Sequence, residues 1–200
     1  FRDWEPMSKV NMMSAKDKKK GSLVPRLRFP EFRDAGEWEK KKLDAICSRI
    51  LQKVSNNSLT PVSITAGQGF VSQESKFGRN IAGEQYKNYI FLEHGDFAYN
   101  KGNSKKYPQG YVCQLKEFQK AAASSAFLCF RFVGQYEASF FQSLFDNNIH
   151  GKQLASHITS SARSDGLLNI KPDTFFSILL PVPRIFSEQQ KIADCLSSLD

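Results

Sequence analysis

The feature that most constrains this chain is an apolar run that ends in two prolines and leads at once into a helical pattern. Residues 175–180 (FFSILL) precede Pro181-Val182-Pro183. Proline fixes φ and lacks a backbone donor, so it does not continue a strand in the interior of a sheet. We therefore predict a strand over the apolar run, with its end at the prolines.

A helix is predicted directly after the prolines. Ser187 begins it, and Gln190 follows three residues later, which is the spacing of a capping box. Within the helix, Ile192, Leu196 and Leu199 recur at i, i+4 and i+7 and form a narrow apolar seam suited to a partner helix. The seam stops before it completes three heptads. We therefore expect a helix that is cut short and whose partner lies outside this chain.

The remaining sequence alternates short apolar runs with glycine-rich or polar turns. The predicted strands are residues 62–65, a short strand after Gly69, 89–92, 97–100, 111–115 and 125–133. Helical spacing of apolar residues predicts helices over 37–51, with the lysines of 40–42 on a solvated face, and over 139–149. Residues 72–82 are interpreted as a polar loop. Many short strands, few helices and no βαβ alternation predict an α+β fold with a mixed or antiparallel sheet.

The charge of the chain favours a polyanionic partner. The 28 Lys and Arg against 20 Asp and Glu give a net charge of +8, which favours nucleic acid over the alternative of a merely basic globular domain. A hydrophobic content of 40% predicts a sizeable core, and no run approaches the ~20 apolar residues of a membrane span. The four Cys and three His are scattered without metal-ligand spacing, so we expect reduced thiols, no metal site and a cytoplasmic protein.

Three stretches resemble the specificity subunits of type I restriction–modification enzymes. They are the lead-in VPRLRFPEFRDAGEWEKKKLDAIC at 24–47, with Trp38 and Leu43 at recurring positions, the GDF-x-YNK hairpin within 93–112, and LPVP followed by SEQQKIADCLSSLD at 180–200. The polar, lysine-rich composition of the N-terminus predicts a flexible basic tail over 1–23. The resemblance implies a DNA target-recognition domain over 24–185. It further implies the start of a spacer helix of an antiparallel coiled coil over 186–200.

The resemblance also implies a division of labour. This chain would recognise one half of a bipartite site in double-stranded DNA without catalysing a reaction. Modification and restriction subunits would supply S-adenosylmethionine, ATP and Mg²⁺. Only one recognition domain and a helix stub are present, so we expect a fragment, or a half-subunit that pairs through the helix with a second recognition domain or a copy of itself.

The expected DNA contacts centre on the loop between the strands at 97–100 and 111–115. Its candidate residues are Lys101, Asn103, Ser104, Lys105, Lys106, Tyr107 and Gln109. Lysines neutralise phosphates, whereas Asn and Gln can bond the N6 and N7 edge of adenine in the major groove. The alternative is an exposed, solvated hairpin.

Two further sets are candidates for DNA contact. Ser161, Arg163 and Ser164 precede the final apolar run, and arginine is the commonest reader of guanine O6 and N7; a salt-bridged loop arginine is the alternative. Thr65, Gln68 and Lys76 form a weaker set.

Two enzyme signals are weak. Residues 66–69 (AGQG) lack the third glycine, the following helix and the acidic residue of a nucleotide-binding loop, so a tight turn is favoured. Residues 74–76 (ESK) have the E-x-K form of metal-dependent nucleases, but they lie in a polar stretch. Two alternatives stay open: a nuclease or adenine methyltransferase with an unrecognised site, and a protein-interaction module whose basic loop is incidental.

Overall fold

The computed structural model describes residues 23–102, 106–158 and 167–199. The strands in these ranges are β1 Glu39–Lys42, β2 Cys47–Arg49, β3 Pro61–Thr65, β4 Gly69–Ser72, β5 Ile90–Glu93, β6 Phe97–Asn100, β7 Tyr111–Gln114, β8 Lys120–Ala123, β9 Leu128–Phe132 and β10 Leu179–Val182. The α-helices are α1 Leu43–Ile46, α2 Gln73–Phe77, α3 Ala138–Asp146, α4 Ile149–Leu154, α5 Pro172–Phe176 and α6 Phe186–Ser197. Short 3-10 helices lie at Pro30–Phe32, Gly83–Asn88 and Ala155–His157. No described helix is long and apolar enough to cross a membrane.

The strands form two four-stranded sheets and one ribbon. A central sheet has the order β2-β9-β6-β7, with antiparallel pairing throughout, and an outer sheet has the order β4-β3-β8-β5. Within the outer sheet β3 and β8 run parallel, and the other pairs are antiparallel. The ribbon pairs β1 with β10. The fold is therefore α+β with mixed sheets, as the sequence predicts.

The central sheet is buried on both faces, and its side chains alternate between two cores. Phe97, Tyr99 and Phe130 join the aromatic core under the helices, whereas Ala98 and Cys129 face the outer sheet. Successive side chains of a strand point to opposite faces, so this alternation follows from the sequence of β6 and β9. The molecule thus has three layers: helices, central sheet and outer sheet.

The helix predicted over 37–51 is wrong. These residues form β1, the single turn α1 and β2. Pairing of β1 with β10 places Lys40 opposite Pro181 and Lys42 opposite Leu179, with both lysines exposed. Leu43 and Ile46 still reach the core, but from one turn between two strands. Tertiary pairing has overridden a local helical pattern, and exposed lysines suit an edge strand.

The strand predicted over 175–180 is also wrong in its bounds. Pro172 begins helix α5, which carries Phe175 and Phe176 into the core, and the strand starts only at Leu179. Pro181 lies inside β10, which pairs on one side only, so its missing donor faces no neighbouring strand. The strand therefore ends one residue after the first proline, at Val182.

The helix after the prolines is present, but the predicted capping box is wrong. Helix α6 begins at Phe186, with Ile185 at the N-cap position and no side-chain cap. Ser187 is therefore already inside the first turn. The helix predicted over 139–149 is present as α3, but it ends at Asp146, and Asn148 with a φ of +55° separates it from α4. Helix α2 was missed inside the supposed loop at 72–82. There the hydroxyl of Ser72 accepts a bond from the amide of Ser75, which caps α2.

Candidate nucleic-acid interface

Of the two described lysines in the hairpin loop between β6 and β7, Lys101 is half-buried and Lys106 is exposed to solvent. Nζ of Lys106 lies 5.5 Å from the centre of the Tyr107 ring. The rings of Tyr107 and Tyr111 are 4.7 Å apart, so Tyr107 rests on the start of β7. Asn103, Ser104 and Lys105 lie outside the described residues. One side of the loop therefore packs on β7 through Tyr107, and the ammonium of Lys106 is exposed.

The base of the hairpin is held by polar contacts. The hydroxyl of Tyr99 donates to the carbonyl oxygen of Gln109 at 2.8 Å, and Nδ2 of Asn148 donates to Oε1 of Gln109 at 3.2 Å. Gly110 has φ of +83°, and a Cβ there would lie 2.5 Å from the Tyr99 ring and 2.6 Å from a backbone oxygen. Only glycine fits such a position. Gln109 therefore anchors the loop.

A buried histidine lies under the same base. Nε2 of His150 lies 3.3 Å from the carbonyl oxygen of Gly110, and Nδ1 has no hydrogen-bond partner among the described residues. Because a carbonyl only accepts, the proton belongs on Nε2. Burial lowers the pKa of His150 to about 4. The ring is therefore neutral at pH 7, and sequence reasoning missed it because a single His carries no spacing signal.

The turn between β3 and β4 lies against the hairpin. Gln68 closes it by donating its amide proton to the oxygen of Thr65 at 2.9 Å, and Gly67 has φ of +86°. A Cβ on Gly67 would lie 3.0 Å from the Tyr107 hydroxyl oxygen and 3.7 Å from Nζ of Lys106. The predicted tight turn at 66–69 is thus confirmed, and it brings Gln68 beside the hairpin.

Lys76 is tied to the same region. Its ammonium donates to the carbonyl oxygen of Ile64 at 2.8 Å and to Oγ of Ser63 at 3.2 Å, both on β3. Burial lowers the pKa of Lys76. The Lys76 ammonium therefore lies against β3, the strand that leads into the β3–β4 turn.

A third chain segment returns beside the hairpin. Leu167 forms an isolated bridge with Gly102, and the amide of Leu168 donates to the oxygen of Lys101 at 2.9 Å. Ser161, Arg163 and Ser164 lie outside the described residues, and four peptide units join Arg163 to Leu167. The structure therefore brings the first and third candidate sets together and fixes where the segment after the second set rejoins the fold.

The described lysines of this region have no carboxylate partner, a property they share with other exposed lysines such as Lys116 and Lys120. Arg131 pairs with Glu93 and Asp96, and Arg49 pairs with Asp173. Within the described ranges, Lys76, Lys101 and Lys106 take part in no ion pair. Nor do those ranges contain a group of three His, Cys, Asp or Glu side chains that could hold a metal ion. The loop end of the two sheets is therefore a cationic surface.

The predicted helical seam is divided between the domain and solvent. Ile192 packs against the aromatic core, Leu196 is half-buried and Leu199 is 52% exposed. The residues of α6 that are fully inside are Glu188, Gln189 and Ala193, so the first turns dock on the domain itself. Only the end of the seam is left for another helix.

Comparisons with known proteins give a match in structure only. No protein-family model and no curated protein matches the chain. The crystal structure of the HsdS subunit from Thermoanaerobacter tengcongensis matches with a TM-score of 0.54 and 14% identity, over 81% of this chain and 42% of that one. A structure described as the basis of complex assembly and conformational transition of the type I R-M system matches with a TM-score of 0.53 and 14% identity, over the same shares.

These matches confirm the expected fold. The chain has an HsdS-like fold, and it spans 42% of the length of the solved chains that it matches. At 14% identity the likeness concerns the arrangement of strands and helices alone.

Proposed function

We propose that this chain is a non-catalytic DNA-recognition component of a type I restriction–modification specificity subunit. It binds one half of a bipartite site and directs partner subunits to that site. One observation carries the proposal: the β6–β7 hairpin and the β3–β4 turn meet at one end of two stacked sheets, where the described lysines have no carboxylate partner. The HsdS-like fold supports it.

The lysines have the sequence-independent role in this proposal. Lys76, Lys101, Lys105 and Lys106 neutralise backbone phosphates and release counterions. Such contacts set the position of the protein on the duplex without reading bases. A rigid sheet behind the loops keeps their geometry fixed when DNA binds.

The base-reading role falls to side chains with directional donors and acceptors. Gln68 and Asn103 suit adenine, and Arg163 suits guanine through O6 and N7. The hydroxyls of Thr65, Ser104, Ser161 and Ser164 serve phosphates or bases, and Tyr107 supports the loop from inside. Gln109 is assigned to the hairpin base, because both of its oxygens already accept hydrogen bonds.

The chemistry belongs to partner subunits in this proposal. Modification subunits supply S-adenosylmethionine for DNA methylation, and restriction subunits supply ATP and Mg²⁺. Residues 24–185 act as the recognition domain, and 186–200 begin the spacer helix. Leu196 and Leu199 on that helix contact a second recognition domain or a copy of this chain.

Binding to a random-sequence DNA duplex tests the phosphate contacts without knowledge of the target. Replacing both Lys105→Ala and Lys106→Ala removes two phosphate contacts, so affinity falls on every sequence. The slope of log affinity against log salt becomes shallower by roughly 2. Fluorescence anisotropy between low and moderate salt measures both quantities.

A matched pair of lysines controls for the loss of net charge. Lys116, two residues after β7, and Lys120, the first residue of β8, are exposed and lie outside the hairpin, and their double replacement by alanine removes the same charge. This control leaves the salt slope nearly unchanged. Equal effects of the two double variants, or binding that does not respond to salt, would contradict the proposed interface.

A further inference from the structure

The lead-in segment (residues 23–38) is bonded to the start of α6 by a buried ion pair. The guanidinium of Arg28 donates from Nε and Nη2 to the two carboxylate oxygens of Glu188, each at 2.7 Å. Its Nη1 donates to the oxygen of Gly36 at 2.6 Å. The side chain of Arg28 is 6% exposed and that of Glu188 is fully buried. The pair is bidentate and largely shielded from water, a geometry that fixes orientation as well as distance.

An indole completes the network. Nε1 of Trp38 donates to Oε1 of Glu188 at 3.0 Å, and the Trp38 ring packs edge-on against Phe140 of α3 at 5.9 Å. The carboxylate therefore receives three directional bonds from the lead-in segment. A buried ion pair adds little net stability compared with apolar residues of similar volume. Apolar residues, however, would not fix the orientation of α6 relative to the lead-in segment, because their contacts are not directional.

Neighbouring residues hold the other sides of α6. Gln189 donates from Nε2 to the oxygen of Pro183 at 3.1 Å and accepts from the amide of Glu137, just before α3, at 3.1 Å. Lys191 pairs with Glu31 and stands 5.1 Å from the centre of the Phe29 ring. The helix is thus clasped between the lead-in segment and α3 over its first two turns.

We propose that Arg28, Trp38 and Glu188 are positioning residues that fix the direction in which α6 leaves the domain, and thereby the number of base pairs between the two halves of the DNA site. This inference rests on the proposed function. Helix α6 spans Phe186–Ser197 and is ~18 Å long at 1.5 Å per residue, so a tilt of about 11° moves its end by ~3.4 Å. That displacement matches the ~3.4 Å rise per base pair along the axis of the DNA helix. A small loss of direction at Glu188 therefore changes the spacing by about one base pair.

Spin-label distances test the clasp without DNA. One label is placed at Ser125→Cys, in the exposed turn between β8 and β9. The other is placed at Ser197→Cys, at the exposed end of α6. The background carries Cys47→Ser and Cys195→Ser, while the buried Cys113 and Cys129 stay. The unaltered network gives one narrow distance distribution. The double variant Arg28→Met with Glu188→Leu fills the same space with apolar side chains and removes the hydrogen bonds to Glu188. We expect it to broaden or shift the distance distribution.

Two further variants keep this test decisive if that double variant does not fold. Arg28→Lys keeps the charge but loses the bidentate geometry, and we expect it to broaden the distribution with the helix content by circular dichroism unchanged. Arg184→Lys alters an exposed ion pair with Glu39 and leaves the distribution narrow. An unchanged distribution in the folded Arg28 and Glu188 variants would overturn the proposal.

Methylation in cells that also contain the partner modification subunit tests the spacing. Sequencing that detects methylated bases gives the two half-sequences and the spacer between them. With the original chain we expect one spacer length; with Arg28→Met and Glu188→Leu we expect the same half-sequences with spacers longer or shorter by one base pair. A single unchanged spacer would overturn the positioning role. Absence of any methylated bipartite motif that depends on this chain would instead contradict the proposed function, and the spin-label result would still decide the clasp.

Discussion

At the scale of residues, the best-defined polar contacts hold the base of the hairpin. Tyr99, Asn148 and His150 all bond to Gln109 or Gly110, where the loop rejoins β7. Glutamine is a residue type that can read bases, yet the side-chain amide oxygen of Gln109 already accepts a hydrogen bond from Asn148. A polar residue in a loop sequence therefore does not indicate by itself whether it contacts a ligand or the fold.

His150 predicts a pH dependence of stability. Because burial lowers its pKa from 6.5 to about 4, the unfolded chain binds more protons than the native state between these values. The stability contributed by the neutral ring is fully present above pH 6.5 and is lost as the pH falls towards 4. Between pH 7 and pH 5 this loss amounts to about 2 kcal/mol in the free energy of unfolding.

Urea unfolding at pH 7 and pH 5 checks this dependence, with His150→Gln as the comparison. Glutamine keeps an N–H donor for the Gly110 oxygen but does not titrate. Carboxylates elsewhere titrate in both proteins, so their contribution cancels in the comparison. We expect a steeper loss for the histidine protein. Equal losses in both proteins would show that the His150 ring is not held neutral.

At the scale of elements, the β3–β4 turn and the β6–β7 hairpin are coupled at Gly67. Gly67→Ala introduces a Cβ at 3.0 Å from the Tyr107 hydroxyl oxygen, in addition to the strain of a left-handed backbone. Such strain costs about 1–2 kcal/mol. The contact also forces the Tyr107 hydroxyl to shift by a few tenths of an ångström, so we expect weaker binding to a random-sequence duplex as well as a lower melting temperature.

Gly69→Ala is the matched control for this contact. Gly69 has φ of +88°, but a Cβ there would meet nothing within 4 Å. Gly69→Ala therefore introduces the same backbone strain but no contact with the hairpin. If both variants lost the same DNA affinity, the turn and the hairpin would not act as one surface.

Elements whose character is set within a few residues were predictable from the sequence. The alternation in Phe97, Ala98 and Tyr99 gave β6, and the glycines at 67 and 69 gave the turn. By contrast, the apolar spacing from Trp38 to Ile46 fits a helix, and only pairing with β10, some 140 residues away, makes β1 a strand. Such pairing leaves no local signal. The start of α5 does have one, because proline at the first helical position is typical of a helix N-terminus, and the apolar run that follows Pro172 concealed it.

At the scale of the whole molecule, the chain is a three-layer body with the β6–β7 hairpin and the β3–β4 turn at one end and its lead-in segment bonded to its last helix. The sequence identified the hairpin as a candidate site because it concentrates lysines and amides between two strands. It did not show that the β3–β4 turn lies beside that hairpin, because this depends on how the two sheets stack. The Arg28–Glu188 pair was equally hidden, since its partners are 160 residues apart.

The methylated DNA motif in cells that contain this chain and its partner subunits tests the central claim most directly. The comparison is between the original chain and one with Gln68→Ala, Asn103→Ala and Arg163→Ala, which removes the proposed base readers and keeps the lysines of the loop. We predict that one half of the bipartite motif becomes degenerate, while the other half and the spacer stay the same. A motif that is unchanged, or that degenerates equally in both halves, would contradict the claim that this domain reads one half of the site.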